Sequence, residues 1–478
     1  MLFNSIDFTL FLPVIFLLYW FVFNKTKKSQ NLLIVVASYF FYGWWDWRFL
    51  SLILFSTSID YFIGIAISKK DKRKARKNLL LISIFVNIGL LGFFKYFDFF
   101  LDSFIKGFSF FGLEFQSTSL NIILPVGISF YTFQSLSYTI DIYRNKIAPT
   151  KDFISFTAFV SFFPQLVAGP IERATNLLPQ FYKKRYFEYG KAVDGIHLII
   201  WGLFKKIVIA DSCAAYVDQI FSSYENMNSI SLLLGAIYFA FQIYGDFSGY
   251  SDIAIGTAKL YGIELKKNFN FPYFSRDISE FWRRWHISLT SWFKDYLYIP
   301  LGGSKGSSLL SLRNVFIVFL VSGFWHGANW TFIIWGGIHA LFFAPLLLTN
   351  KNRRFFDIVA KEKTLPSFIE LISMIATFML VALSFVIFRS ESLFDAINYL
   401  KILFSFNFEG GFQYLFIRRY TPELIILLFG FILLEWNSRE REHPFFGKWR
   451  YIKLITILLS LLLLGAYANS TEFIYFQF

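Results

Sequence analysis

The sequence predicts an all-α polytopic membrane protein, and its composition, its long apolar runs and its basic loops indicate this class. Of its 478 residues, 56% are hydrophobic and only 16% are charged, whereas soluble domains carry about 25% charged residues. Several apolar runs approach or exceed the roughly 18 residues that a helix needs to cross a bilayer. We therefore predict one helical membrane domain over residues 1–478, with about 11 or 12 crossings and additional re-entrant or interfacial helices.

The N-terminal part, residues 1–140, is predicted to supply the first spans. The opening stretch MLFNSIDFTLFLPVIFLLYWFVFNKTKK carries its lysines after the apolar run, whereas a cleaved signal peptide carries positive charge before it. The loop at 69–77 holds seven basic residues and one aspartate, and cytoplasmic loops are enriched in Lys and Arg. Residue 1 is therefore expected outside and this loop inside. The predicted spans are 6–23, 31–45, 47–67, 79–101 and 120–140.

The middle part, residues 141–349, is predicted to form the core of the domain and to carry its functional site. It mixes charged stretches with short apolar pieces such as FVSFFPQLVAGPIER, which are typical of re-entrant or interfacial helices. Non-helical backbone at membrane depth is tolerated only where protein or a water-filled cavity surrounds it, so a polar-lined cavity is expected here. Spans are predicted at 195–218, 230–255, 309–325 and 329–349, and, in the C-terminal part 350–478, at 367–388, 421–436 and 453–470.

The charge and cysteine content exclude several classes of function. The net charge of +14 is spread over short loops, which indicates membrane topology and contact with membrane lipid but no nucleic-acid partner. The single cysteine, Cys213, excludes an intramolecular disulfide and a thiolate metal cluster, and no metal site is predicted. Cys213 is interpreted as a small apolar residue of the core, with an acyl-accepting nucleophile as the alternative.

The stretch DISEFWRRWHISLTSWFKDYLYIPLGGSKG, residues 277–306, predicts an amphipathic helix at the membrane boundary. At about 100° per residue, its aromatic side chains form one stripe with His286 at the edge, opposite a basic side that a solvated or headgroup-facing surface would explain. The alternative is a cytoplasm-facing site for an anionic group, because arginine side chains bind phosphate as forks and the loop GGSKG could present backbone N–H groups. The basic candidates are Arg283, Arg284, Lys294 and Lys305.

The stretch VSGFWHGANWTFIIWGGIHALFF, residues 321–343, places a histidine within a predicted membrane segment. Ionisable groups in hydrocarbon are costly, so His326 is a candidate functional residue. His339 follows 13 residues later and would face away from His326 on a continuous helix. We assign it, with His197 and His443, a structural role.

Together these stretches resemble the membrane-bound O-acyltransferase family. The matching pieces are FWRRWHISLTSWFKDYLYIPLGGSKG and GFWHGANWTFIIWGGIHAL. MLFNSIDFTLFLPV, NLLIVVASYFFYGWW, LPVGISFYTFQSLSYTIDIYR and FPQLVAGPIER resemble its bacterial branch of alginate and peptidoglycan O-acetyltransferases. The resemblance implies a ring of membrane helices around a central channel. It also implies that His326 is the principal catalytic residue and His286 the second family histidine.

The resemblance further implies the substrates and the location. The expected donor is acetyl-CoA or a similar acyl thioester, with no bound cofactor. The expected acceptor is a hydroxyl of an extracytoplasmic polysaccharide, reached directly or through an extracytoplasmic SGNH-type partner transferase, at the bacterial cytoplasmic (inner) membrane. Alginate, peptidoglycan, a capsule and cellulose stay open as acceptors.

Acyl transfer from a thioester to a hydroxyl needs a base and a stabilised oxyanion. Histidine suits the first task because its pKa lies near neutrality, and partial burial keeps the ring neutral. Asn329 could donate to the oxyanion if the helix continues through Gly327, and the indole N–H groups of Trp325 and Trp330 are alternatives. Trp285 is expected to lie along the channel.

Two other functions remain compatible with the residues alone. A transporter or flippase for a lipid-linked sugar could use buried aspartates such as Asp60, Asp246 and Asp252, although no internal repeat of the transporter kind is visible. A non-catalytic scaffold for an envelope complex is the second alternative.

Overall fold

The computed structural model describes residues 1–109, 112, 120, 122–167, 169–410, 421–467, 473 and 474, and the regular structure within these residues is entirely helical. The predicted all-α class is therefore confirmed. In the described part of the chain, six segments are long and apolar enough to cross a membrane. They are Lys27–Ser68, Arg73–Ser109, Ser229–Leu260, Ser308–His326, Trp330–Leu348 and Phe368–Arg389. The protein is thus a multi-pass membrane protein, and the count of about 11 or 12 crossings stays a prediction.

The chain divides into two compact units, residues 1–195 with 254–266 and residues 196–253 with 267–478. These boundaries differ from the predicted divisions at 140 and 349. The prediction of a single domain stays a prediction.

The first unit contains nine complete helices among its described residues. They are α1 Ile6–Leu17, α2 Lys27–Asp46, α3 Leu50–Ser68, α4 Arg73–Leu91, α5 Phe97–Ser109, α6 Ile128–Tyr143, α7 Phe153–Ser161, α8 Phe163–Leu166 and α9 Ala174–Phe181. Pi-helical turns extend α1 (Leu18–Val22) and link α4 to α5 (Gly92–Tyr96), and a 3₁₀ turn, Trp47–Phe49, precedes α3. Each span predicted for residues 1–140 overlaps a helix, although residue 121 of the last lies outside the described residues.

The core of the first unit contains polar groups that are satisfied internally. Asp60 is fully buried and accepts hydrogen bonds from Ser83 (2.6 Å) and Asn87 (2.9 Å). Most residues of the short helices α7 and α8 are buried. The aspartate is therefore a structural acceptor in this conformation, because its oxygens are bound to neighbouring side chains.

Helix α10, Tyr189–Leu203, and helix α12, Ser229–Leu260, contribute residues to both units. The other helices of the second unit are α11 Asp211–Ser222, α13 Ile278–Arg284, α14 Ile287–Phe293, α15 Ser308–His326, α16 Trp330–Leu348, α17 Phe368–Arg389, α18 Leu393–Leu403, α19 Thr421–Ser438 and α20 Arg450–Leu464. Its pi-helical turns are Phe204–Ala210 and Lys294–Tyr298, and its 3₁₀ turns are Tyr224–Asn226 and Pro272–Phe274. Each span predicted beyond residue 190 overlaps a helix, although residues 468–470 of the last lie outside the described residues.

Helices α15 and α16 form an antiparallel hairpin that turns directly after His326. Gly327 is extended (φ −168°) and the Asn329 side chain caps α16 by accepting from the Thr331 N–H (3.0 Å). The two backbones touch, since a Cβ on Gly323 would lie 2.2 Å from the Phe332 carbonyl oxygen. Only glycine allows this approach, and the predicted spans 309–325 and 329–349 are confirmed as separate helices.

The predicted continuous amphipathic helix over 277–306 is wrong. Helix α13 ends at Arg284, and His286 adopts a left-handed conformation (φ 43°) before α14 begins. The segment 268–270 forms backbone hydrogen bonds with the chain at this break. Asn270 N–H donates to the Arg284 carbonyl (2.9 Å) and Ile287 N–H donates to the Asn268 carbonyl (2.8 Å). The helix therefore breaks where a tertiary contact replaces its own hydrogen bonds.

Candidate active site

His326 is the last residue of α15 and lies in an aromatic site. Its side chain is buried, and its ring centroid lies 5.1 Å from that of Trp325, 5.4 Å from Trp335 and 5.4 Å from Phe388. The ring is therefore held by indole and phenyl faces contributed by three helices or their ends.

His286 is also buried, in contrast to its predicted position at the edge of the aromatic stripe of a helix at the membrane boundary. Its ring packs edge-to-face on Phe247 (4.6 Å), and the break between α13 and α14 turns it inward. Burial lowers the pKa of His286 to about 3. The ring is therefore neutral at physiological pH, because an apolar site disfavours the charged form.

The tautomer of His286 follows from its partner Asn268. The Asn268 Oδ1 accepts from the Ser288 backbone N–H (3.2 Å), and His286 Nδ1 lies 3.1 Å from the same oxygen. Since a backbone N–H can only donate, the Asn268 atom is an acceptor and His286 Nδ1 must carry the proton. In the neutral ring Nε2 then carries the lone pair.

Trp325 connects the two histidines of the predicted motifs. Its indole lies 5.1 Å from the His326 ring and 6.0 Å from the His286 ring, edge-to-face with both. Trp325 is buried. The structure thus brings His326, His286 and Trp325 into one aromatic cluster, as expected if both histidines serve one site.

His339 does not face away from His326 as predicted for a continuous helix. The turn after His326 reverses the chain, and both rings contact the same indole, that of Trp335, at 5.4 Å and 4.7 Å. The spacing of four residues between Trp335 and His339 on α16 already places those two on one face. What the sequence does not show is the reversal that brings His326 to that face.

An apolar cavity of about 420 Å³ runs along α15 towards His326. Its walls include Phe319 and Ser322 of α15 and Trp282 of α13, and its basic residues are Arg283, Lys294 and Arg353. Ser322 lies one helical turn before His326, or about 6 Å along the axis. The cavity is therefore an apolar slot that ends near His326 and has positive charge at its edge.

The four basic residues of the predicted donor site lie in different environments. Arg283 and Lys294 line the cavity, whereas Arg284 and Lys305 do not. Arg284 is buried, which corrects the prediction of a solvated basic face. It pairs with Glu280 (2.7 Å), and its remaining N–H groups donate to the Asn270 and Asp357 carbonyls.

Arg283, in contrast to Arg284, has no carboxylate within ion-pair distance among the described residues. Its guanidinium donates to the Ser279 hydroxyl (2.6 Å) and the Asn352 carbonyl (2.9 Å) and stacks on Phe356 (4.8 Å). These partners are neutral, so the arginine is oriented but its positive charge is retained for an anion.

The predicted oxyanion donors lie in different positions. The helix does not continue through Gly327, and the Asn329 amide donates to the Glu391 carbonyl (2.9 Å). Trp330 is exposed, and Trp285 is buried and stacks on Phe281 (5.4 Å). The sequence reasoning missed Trp335, whose buried indole N–H has no hydrogen-bond acceptor among the described residues.

A second, polar cavity of about 380 Å³ lies at the C-terminal end of α17. It is lined by Asp218 of α11, Arg389 and Glu391 at the end of α17, and Asp395 and Tyr399 of α18. The neighbouring residue Phe388 touches the His326 ring. Because α17 contains 22 residues, its two ends are about 33 Å apart, a distance comparable to the thickness of the hydrocarbon core.

The remaining candidate residues of the sequence are occupied in structural contacts. Asp246 pairs with Lys206 (2.9 Å) and Asp252 pairs with Lys205 (2.6 Å), and Cys213 is fully buried. Within the residues that the structure describes, three or more His, Cys, Asp or Glu side chains do not converge as a metal site would require.

Comparison with known proteins identifies a family and several relatives of this chain. The model of the family described as MBOAT, membrane-bound O-acyltransferase family, matches residues 145–388. The chain is 41% identical over 399 residues to a protein of Pseudomonas aeruginosa named "probable alginate O-acetylase AlgI", covering 83% of this chain and 74% of that protein. It is 37% identical over 427 residues to the peptidoglycan O-acetyltransferase of Helicobacter pylori, covering 83% and 78%.

A more distant relative carries a different acyl group in its name. The teichoic acid D-alanyltransferase of Bacillus subtilis is 29% identical over 283 residues, covering 57% of this chain and 70% of that protein. The family match includes both histidine motifs and the helices that place them. The chain therefore belongs to the membrane-bound O-acyltransferase family and is a multi-pass O-acyltransferase.

Proposed function

We propose that this protein moves an acetyl group from a cytoplasmic thioester, acetyl-CoA or a similar donor, to an extracytoplasmic hydroxyl. The observation that carries the proposal is the position of His326, which lies one helical turn after Ser322 of the apolar cavity and contacts Phe388, the residue before Arg389 of the polar cavity. The names of relatives that O-acetylate alginate or peptidoglycan support an acetyl group and a polysaccharide as the final acceptor.

The apolar cavity suits the donor. Its slot accommodates the thioester arm, and Arg283 and Lys294 at its edge suit the phosphates of a coenzyme A. The loop GGSKG is predicted to be cytoplasmic, and Ser304 of this loop lines the cavity. The donor would then enter from the cytoplasm and place its acetyl group near Ser322.

The polar cavity suits an acceptor that presents hydroxyl groups. Carboxylates such as Asp218 and Glu391, which line it, accept hydrogen bonds from hydroxyls. We propose that the first acceptor is a hydroxyl of an SGNH-type partner transferase, which then acetylates the polysaccharide. The site is at the bacterial cytoplasmic membrane in this proposal.

His326 would act as the general base. It takes the hydroxyl proton while the oxygen bonds to the acetyl carbon, and the carbon–sulfur bond then breaks. The proton passes to the leaving thiolate, so the products are an ester and a free thiol. The buried indole N–H of Trp335 would donate to the oxyanion, because the indole lies beside His326 and its N–H has no acceptor among the described residues.

The test is transfer across a closed membrane. Protein reconstituted in vesicles should acetylate the acceptor only when donor and acceptor are on opposite sides, with the donor on the side of residues 302–306. Radiolabelled acetyl-CoA enclosed inside or added outside measures both arrangements. Equal transfer with both substrates on one side, or no transfer in either arrangement, contradicts the proposal.

The topology can be checked separately by cysteine labelling. In a Cys213→Ser background, single cysteines in the loop at 69–77 and in the segment 302–306 should react only with reagent on the cytoplasmic side. A cysteine near residue 1 should react only from outside, because the basic loops set the orientation. Labelling of the 69–77 loop from outside contradicts the assigned donor side.

Arg283→Ala is expected to weaken donor binding without affecting the chemical step. The Michaelis constant for acetyl-CoA should rise about fivefold, or about 1 kcal/mol, as for a partly exposed charge, while kcat changes little because uniform binding acts on KM. Steady-state kinetics at low and high salt measure this, and the difference should shrink in salt. Arg441→Ala, an exposed arginine outside the cavity, is the matched control. A loss in kcat alone contradicts phosphate binding by Arg283.

A further inference from the structure

His339 is a fully buried histidine with both ring nitrogens engaged. The Trp282 Nε1–H donates to its Nδ1 (3.2 Å), and its Nε2 lies 3.0 Å from the Ser384 hydroxyl oxygen. An indole N–H can only donate, so Nδ1 is unprotonated and the Nε2–H donates to Ser384. The Ser384 hydroxyl in turn donates to the Val381 carbonyl (2.7 Å). One tautomer and one ring orientation are therefore fixed.

This fixed ring supports the indole that contacts His326. The His339 and Trp335 rings are 4.7 Å apart at 67°, and the Trp335 and His326 rings are 5.4 Å apart at 86°. Trp335 is buried and also packs on Phe388 (5.0 Å). Because closely packed rings have few alternative arrangements, the position of His339 limits where Trp335 and His326 can lie.

The same histidine lies directly behind the wall of the apolar cavity. Trp282 and Phe319 both line that cavity, and their rings lie 5.1 Å and 6.4 Å from the His339 ring. Occupation of the cavity would press on these two side chains first. A continuous series of contacts thus runs from the cavity wall through His339 and Trp335 to His326.

The polarity of this arrangement distinguishes it from ordinary core packing. Burying an imidazole, an indole N–H and a hydroxyl is costly unless all are hydrogen-bonded, and a leucine would fill the same volume without that cost. The three groups are satisfied together by two hydrogen bonds of defined direction. Such a network fixes orientation, which apolar contacts alone do not.

We propose that His339 is a positioning residue that holds the His326 ring through Trp335 and links this position to donor occupancy of the cavity through Trp282. The inference rests on the proposed acetyl transfer. His339 itself touches no reacting atom in this scheme. Its effect is on the geometry of the base, and a displacement of about 1 Å at a reacting group can cost about 10²-fold in rate.

The test compares His339→Leu with His339→Gln in the full-length protein. Leucine keeps the volume but removes both hydrogen bonds, so kcat per folded protein should fall about 10- to 100-fold. Glutamine offers one acceptor to Trp282 and one donor to Ser384, and it should restore kcat to within about threefold of wild type. Equal kcat in His339→Leu and wild type, or a glutamine variant as impaired as the leucine variant, overturns the proposal.

Two milder variants separate the two ends of the contact series and serve if His339→Leu fails to fold. Ser384→Ala removes a partner outside the cavity, so it should lower kcat and leave the KM for acetyl-CoA unchanged. Trp282→Phe removes the indole donor in the cavity wall, so it should change both constants. Unchanged kcat in Ser384→Ala, with the protein folded, overturns the positioning role.

A readout that does not need turnover separates this inference from the proposed function. Carbethoxylation of His326 by diethyl pyrocarbonate, followed by peptide mass spectrometry, measures how fast the ring reacts in wild type and variants. This rate depends on the position of the ring. Its rate should change at least about threefold in His339→Leu and revert in His339→Gln, as for an energetic coupling of typical size. An identical rate in all three proteins overturns the inference, whereas absence of transfer in wild type would contradict only the proposed function.

Discussion

His326→Ala and His326→Gln are each expected to remove acetyl transfer while leaving the protein folded and inserted. General-base catalysis contributes about 10²–10⁴-fold, so the loss should be at least of that order. Neither alanine nor glutamine can accept a proton at neutral pH. Transfer of labelled acetyl from acetyl-CoA to the acceptor, by purified protein in lipid nanodiscs, measures the effect.

The variants of His326 need a control that removes a histidine outside both cavities. His443→Ala serves, since His443 packs on His197 and Phe445 and neither cavity includes it. Its transfer rate should remain close to that of wild type. A folded His326→Ala protein with wild-type transfer would remove the base assignment and favour a non-catalytic role for this histidine.

His286→Ala is also expected to lower the rate of acetyl transfer, but through its effect on Trp325 and His326. The His286 ring contacts Trp325, which contacts His326, and Asn268 fixes its tautomer. Replacing Asn268 by Leu should therefore reproduce much of the loss, since Nδ1 would lose its acceptor. Full activity in both variants would show that only one histidine serves the site.

The helices and their order could be predicted from the sequence, because apolar runs report membrane spans independently of tertiary contacts. The separate helices α15 and α16 are an example, since Gly327 and the capping residue Asn329 end one helix and begin the next. The break at His286 could not be predicted. It depends on backbone hydrogen bonds from the segment 268–270, and periodicity carries no information about such distant partners.

The histidines of the candidate site could be predicted from the sequence, but the residues that surround them in the structure could not. The polar character of His326 in an apolar stretch indicates function without any structure. The roles of Trp335 and Asn268 depend on chain reversals that bring distant residues together. The basic residues show the same limit, because Arg283 and Arg284 are neighbours in sequence but only Arg283 lines the cavity.

Glu280→Ala is expected to destabilise the protein by about 3–5 kcal/mol, because it leaves the buried Arg284 without a carboxylate partner. The Glu280 carboxylate is buried and pairs with Arg276 (3.0 Å) and Arg284 (2.7 Å), two arginines that are themselves buried. Asp357→Asn is the matched control, since Asp357 also pairs with Arg276 (2.7 Å) but is exposed to solvent. Exposed ion pairs contribute only about 0–1 kcal/mol, so the control should unfold nearly as wild type does.

The cause of the Glu280 effect can be isolated by a second substitution. Adding Arg284→Met to Glu280→Ala removes the arginine that has lost its carboxylate, whereas Arg276 keeps Asp357 and Glu370, so part of the free energy of unfolding should be recovered. Denaturant unfolding in detergent, followed by tryptophan fluorescence, compares the single and double variants. If the double variant is less stable than Glu280→Ala by the full cost of Arg284→Met alone, the two residues act independently, and Glu280 does not stabilise the α13 end of the site through its charge.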